Sequence, residues 1–241
     1  MAGTEKRIRL NKYIALSGIY SRRQADKLIF NGFVKVNETF IQDPSVNVDP
    51  EADTILVNDK KISIDKKIFI KFYKPVNVLS SYVSQGGKVN LTCFPPFDKL
   101  RLSYAGRLDY KSEGLMFFCN NGSLIERLLL PENHIEKEYI VYVDKKFLIK
   151  ELLNLQKGIT INGIYYRECS ITDIGSLAYK VILHEGKKRQ IRNMFKYYSV
   201  NVLRLIRVRI GKICLGDLKP GQFKYLEKYE LEGIIKCIDL K

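Results

Sequence analysis

This 241-residue chain has no run of about 18 apolar residues and no N-terminal apolar stretch of signal-peptide length. Membrane spanning and export are therefore not signalled, and a cytoplasmic location is expected. Its five cysteines, Cys93, Cys119, Cys169, Cys214 and Cys237, are odd in number, scattered and free of any C-x-x-C pair. The two histidines, His134 and His184, form no zinc pattern with them. Reduced thiols serving as small core residues, with no metal, are the expectation. No G-x-x-x-x-G-K-[ST] loop is present, since Gly86-Gly87-Lys88 lacks both the leading glycine and the hydroxyl. No G-x-G-x-x-G follows a strand and no G-x-S-x-G elbow occurs, so neither a nucleotide cofactor nor a serine hydrolase is indicated. The remaining chemistry is that of a carboxylate, tyrosines and many arginines. That set suits work on a nucleotide with no cofactor.

Acid residues are missing where the basic ones gather. The formal net charge is +15. Residues 6 to 35 hold eight Lys or Arg against Asp26 alone, and residues 187 to 212 hold nine with no acid. These segments carry +7 and +9, leaving −1 for the rest of the chain. A general solubility bias would spread its charge, whereas two concentrated patches read as footprints for phosphates. Candidate contacts in the first are Arg9, Lys12, Arg22, Arg23 and Lys27. In the second they are Lys187, Lys188, Arg189, Arg207 and Arg209.

The pattern predicts an α+β protein in two parts. Residues 7–60 read as a small module of helices and strands. Leu10, Tyr13, Ile14 and Leu16 form a helical apolar face stopped by Gly18. Ser21 with Gln24 three residues on is a capping-box signature for a second helix. Arg22, Arg23 and Lys27 sit in or near its first turns, against the helix dipole, which argues that they serve a ligand. The charged stretch 59–67 is the expected linker. Residues 68–235 read as an antiparallel or mixed sheet with flanking helices, because strand-like runs outnumber helical ones without regular alternation. Asn162-Gly163 between two apolar triplets predicts a hairpin. In 206–210 apolar residues alternate with Arg207 and Arg209, so one face is expected to be buried and the guanidiniums presented on the other.

The most informative stretch is Gly106-Arg107-Leu108-Asp109-Tyr110, which sets a carboxylate in a glycine-bounded turn before Leu115-Met116-Phe117-Phe118. Such a group is placed to act as nucleophile or base beside basic side chains. A turn aspartate also caps nearby N–H groups, and the loop alone does not separate the two roles.

Taken together, the motifs resemble the bacterial ribosomal pseudouridine synthases of the RsuA type. Residues 7 to about 55 resemble the α-L RNA-binding module through Arg-Leu-Asn-Lys-Tyr-Ile-Ala, Ser-Arg-Arg-Gln-Ala-Asp and Gly-Phe-Val-Lys-Val-Asn. The larger part matches at Tyr73-Lys74-Pro75, Gly106-Arg107-Leu108-Asp109 with Ser112-Glu113-Gly114-Leu115, and Glu136-Lys137-Glu138-Tyr139. It matches again at Glu185-Gly186-Lys187-Lys188-Arg189-Gln190-Ile191-Arg192 and at Arg204-Leu205-Ile206-Arg207-Val208-Arg209-Ile210-Gly211. Departures are few: Asn77 stands where glycine is frequent, and Asn193 replaces a frequent basic residue.

The resemblance implies isomerisation of uridine to pseudouridine in ribosomal RNA, with the large-subunit branch the nearer. It implies Asp109 as the catalytic carboxylate, Tyr139 as the ring against the target base, and Arg192 as the partner of the aspartate. Arg107 resembles an arginine that fills the gap left by an extruded base. A monomer and no cofactor are expected. The rival readings are a non-catalytic RNA-binding or ribosome-assembly factor, and the same chemistry on small-subunit RNA.

Overall fold

A computed structural model describes residues 7–64 and 67–239, except for the side chains of the last three. Lys6 of the first basic segment, Asp65 and Lys66 of the expected linker, and the Cys237 side chain lie outside the described set. The N-terminal module packs helices α1 (Leu10–Leu16) and α2 (Arg22–Phe30) on a four-stranded sheet. The order in that sheet is Thr39–Phe40, Val34–Val36, Ile55–Val57, Lys60–Lys61. The α2 cap forms as its sequence predicts. Gln24 N–H donates to Ser21 Oγ at 3.3 Å, and Ser21 N–H donates to Gln24 Oε1 at 2.9 Å. Leu10, Ile14, Ala25, Ile29, Val34 and Ile55 make the module's own core. Ile62 is buried in that core and Lys60–Lys61 pair with Leu56 and Val57, so the first part of the expected linker is a strand of the module.

The larger domain is built on a mixed sheet. Its principal path runs Ser170–Gly175, Ala178–Leu183, Lys137–Val143, Val202–Ile210, Glu113–Cys119, Phe69–Lys74, Phe223–Tyr225. One pair on that path is parallel, Val202–Ile210 with Glu113–Cys119, and it lies at the centre. Glu113–Cys119 is buried at every position, which is why it reads as an unbroken apolar run and not as an alternation. Its side chains divide between two cores by period two: Met116 and Phe118 join one, Leu115, Phe117 and Cys119 the other.

Four helices cover the sheet. The apolar sides of α4 (Ile149–Gln156) and α5 (Gln190–Tyr197) enter the first core, those of α3 (Gly122–Leu129) and α6 (Lys228–Asp239) the second. The Asn162-Gly163 hairpin forms between Ile159–Ile161 and Ile164–Tyr166. Two thiols, Cys119 and Cys169, are buried as expected, but Cys93 and Cys214 are exposed. Among the described residues no helix is long and apolar enough to cross a membrane.

The two parts are tied at the end of α1. Asn120 Nδ2 donates to Leu16 O at 2.8 Å, and Arg101 N–H donates to Gly18 O at 2.5 Å. Asn77 adopts φ +62°, so asparagine serves in a left-handed turn that glycine would also satisfy.

Candidate active site

Asp109 lies at the C-terminal end of a tethered loop. The left-handed Gly106 (φ +70°) turns the chain, and Ser80 then holds Leu108 from both sides. Ser80 Oγ donates to Leu108 O at 2.8 Å and accepts from Leu108 N–H at 3.2 Å. Asn77 N–H donates to Tyr110 O at 2.7 Å, and Ser112 N–H donates back to Asp109 O at 2.9 Å. These bonds fix the backbone on either side of the carboxylate and leave its side chain facing a cleft. Asp109 is half-buried and Arg107 exposed.

The cleft, about 490 Å³, opens on the sheet face that carries the first core. Tyr139 and Lys137 project into it from alternate positions of one strand, and Leu205 and Arg207 from the neighbouring strand. Arg107, Lys187, Lys188 and Arg189 add positive charge at its edge, with Glu185 the second carboxylate of the lining beside Asp109. The 185–190 segment is shaped from within. Gln190 donates to Glu185 Oε1 at 2.8 Å and accepts from Lys187 N–H at 3.1 Å, and Arg189 enters α5 from a left-handed conformation. Lys187 Nζ is hydrogen-bonded to Tyr165 O.

Arg192 is the third residue of α5 and stands outside the lining of the cleft. Its guanidinium donates to Lys111 O at 2.8 Å and to Val202 O at 2.9 Å, so it clamps the loop after Asp109 to the start of the central strand. Asp109 acts on it through space: burial and Arg189 lower the Arg192 pKa, and the Asp109 charge opposes them. The expected carboxylate–guanidinium pair is therefore an electrostatic neighbour with two carbonyl bonds in place of two carboxylate bonds.

Two arginines expected to face outward do not. Arg207 is 1% exposed, donates through Nε to Leu115 O at 2.7 Å, and has a buried Nη2 without a partner. The alternation in 206–210 assigned faces correctly, but here both faces of the strand are covered, so its guanidinium lies beneath the Gly106 turn. Arg209 is held by Glu136 at 2.9 Å and Glu138 at 3.0 Å. Arg9 and Lys27 are exposed on the module, while Lys12, Arg22 and Arg23 line a second cleft.

Other groups near the site escaped the sequence reading. Lys137 precedes Tyr139 by two positions on the same strand face, a signal present in Glu136-Lys137-Glu138-Tyr139. Burial, reinforced by Arg207, pushes its ammonium down to about 8, and Glu185 works against that shift. Lys74, wholly buried, donates to Pro75 O and Val78 O at 2.8 Å each and is likewise pushed down to about 8, chiefly by burial. Glu113 accepts from Arg204 Nε at 2.7 Å and from Tyr73 Oη at 2.8 Å. Burial raises the Glu113 carboxyl, but those hydrogen bonds outweigh it and hold the group below its ordinary value. Burial, with Glu113 beside it, pushes the Tyr73 phenol up to about 12.

Comparison with known proteins places these features in a family. The model of the RNA pseudouridylate synthase family matches residues 68–197, and that of the S4 domain matches residues 8–55. A dual-specificity RNA pseudouridine synthase RluF of Salmonella typhi is 34% identical over 241 residues, covering 98% of this chain and 81% of the relative. An uncharacterized RNA pseudouridine synthase of Aquifex aeolicus is 32% identical over 239 residues, covering 97% and 96%. A crystal structure of a pseudouridylate synthase superposes with a TM-score of 0.66 at 26% identity, covering 94% of this chain and 99% of that one.

Proposed function

The chain belongs to the RNA pseudouridine synthase family, and from that footing we propose that it isomerises a uridine of ribosomal RNA, with Asp109 as the reacting group. The large subunit is the preferred target, on the likeness of Leu-Arg-Leu-Ile-Arg-Val-Arg at 203–209 and of the following Leu215-Gly216-Asp217-Leu218-Lys219-Pro220-Gly221 to that branch. One observation carries the reading. A carboxylate on a backbone tied at both ends faces a cleft walled by a tyrosine and rimmed by cations.

The reaction neither adds nor removes atoms. The N1–C1′ bond breaks, the base turns, C5 bonds to C1′, and the proton lost from C5 is balanced by one gained at N1. A carboxylate serves this either as nucleophile at C1′ or as base that assists glycosidic cleavage, and both roles need the ionised form. The ring of Tyr139 supplies a face for an everted uracil, worth about 1–3 kcal/mol of sequence-tolerant stacking. Arg192 acts as a positioning residue through the Lys111 and Val202 carbonyls. Arg107 is placed at the cleft edge to occupy the space an extruded base leaves. Lys187, Lys188 and Arg189 meet phosphates there, and Arg9, Lys12, Arg22, Arg23 and Lys27 meet them on the module.

The test is to incubate the purified chain with unmodified large- and small-subunit ribosomal RNA and to map pseudouridine. Asp109→Asn should abolish product while leaving RNA affinity within a few-fold. Turnover by that variant would show that the carboxylate does not react.

A further inference from the structure

A second cleft is larger than the one at Asp109. About 820 Å³ opens where the module meets the sheet domain, at the end of α1. Lys12, Tyr20, Arg22 and Arg23 line it from the module, and Tyr82, Arg101 and Tyr104 from the domain. Its mouth is held in register by the Asn120–Leu16 and Arg101–Gly18 hydrogen bonds.

The walls have two unlike properties. The aromatic side is fixed: Tyr82 Oη donates to Leu102 O at 2.8 Å, Tyr104 Oη donates to Ser80 O at 3.0 Å, and both rings remain partly exposed. The Arg101 guanidinium lies 5.3 Å from the Tyr82 ring centroid. The cationic side is uncommitted. Among the described residues Lys12, Arg22 and Arg23 have no ion-pair partner, and Glu126 is the single carboxylate in the lining. Arg22 and Arg23 also occupy the first turn of α2, where the helix dipole repels them and Ser21 already supplies the cap. Nothing within the fold is gained by charge there. A fixed aromatic face beside free cations is the combination that binds an unpaired nucleotide, base on ring and phosphate on guanidinium.

The two clefts are joined by α3. Its residues Gly122, Ser123, Ile125 and Glu126 line the junction cleft, and its last residue, Leu129, lines the Asp109 cleft. Along α3 the lining residues of the two clefts stand from three (Glu126 to Leu129) to seven (Gly122 to Leu129) residues apart, about 5–10 Å at roughly 1.5 Å per residue, a span that one RNA strand crosses in a few nucleotides. We propose that the junction cleft is a second nucleotide site, which holds an unpaired nucleotide of the same RNA strand a few positions from the uridine at Asp109. The module then forms half of a composite site instead of a separate tether, and the spacing between clefts contributes to the choice of uridine. This rests on the reading of the Asp109 cleft as the uridine site.

The experiment uses the full chain and unmodified ribosomal RNA transcribed with sparse 4-thiouridine. The complex is irradiated, and the peptide–RNA adducts are mapped by mass spectrometry. Two families of adduct are expected, one at the Asp109 cleft and one at the Tyr20, Tyr82 and Tyr104 cleft, with crosslinked nucleotides a few positions apart in one strand. In Arg22→Gln/Arg23→Gln, two exposed changes on a capped helix, the second family should fall at least fivefold relative to the first. Adducts confined to the Asp109 cleft would overturn the second site and leave the first reading intact. Adducts at the junction alone, or none at either cleft, would overturn both.

Discussion

Gly114 is the point at which the sheet and the site depend on each other most closely. It sits near the start of Glu113–Cys119, level with Arg207 in the parallel pair, at φ +107°. A Cβ at this position would lie 2.6 Å from Arg207 N and closer still to Arg207 O, both backbone atoms held in the sheet. Gly114→Ala therefore carries two penalties. A side chain at that φ costs about 1–3 kcal/mol, and forcing apart a packed interior costs about another 1–3 kcal/mol. The expected loss is about 2–6 kcal/mol, which for a chain of this size lowers the melting temperature by about 2–4 °C per kcal/mol. Gly86→Ala is the matched control, because it also has a positive φ (+57°) but no atom within 4 Å of the added Cβ. Urea unfolding of the two variants beside the parent gives the comparison. Turnover should fall with stability in Gly114→Ala, since Arg207 underlies the Asp109 turn. A Gly114→Ala protein no less stable than Gly86→Ala would refute the claim that the central pair is closed to any side chain.

Two further outcomes follow from the same geometry. Glu113 is held below its ordinary value in the folded chain, so the stability it supplies is complete above that ordinary value, about 4.5, and is lost as pH falls through the lower folded one. Glu113→Gln should flatten the acid limb of a stability-against-pH profile and cost about 1–2 kcal/mol at neutral pH, a modest figure because Arg204 is half exposed. An acid limb identical to the parent's would assign that dependence to other groups. Arg192→Lys keeps the charge but cannot span the Lys111 and Val202 carbonyls in one plane. Single-turnover rates should fall about a hundredfold with RNA affinity little changed, in line with the cost of misplacing a reacting group. A parental rate would remove the clamp from the account.

The sequence by itself determined the local elements and the order of the parts. Ser21 and Gln24 specify their cap, Asn162-Gly163 its hairpin, and the apolar stripe of α5 its inward face, because each depends on chain neighbours alone. The Gly106–Asp109 motif marked the loop that faces the cleft for the same reason. Contacts distant in sequence were not legible. Alternation correctly separated Arg207 from Ile206, but whether the far face of a strand meets water depends on what covers it, and here a second layer does. Glu136 and Glu138 neutralise Arg209 only because antiparallel pairing brings strands 71 residues apart side by side. Arg192 reaches two carbonyls, one of them 81 residues away, instead of a carboxylate. The junction cleft belongs to neither part alone. Periodicity records the side of an element a residue occupies. Packing alone decides what it meets there, and with it whether a charge becomes a ligand contact, an ion pair or a buried prop.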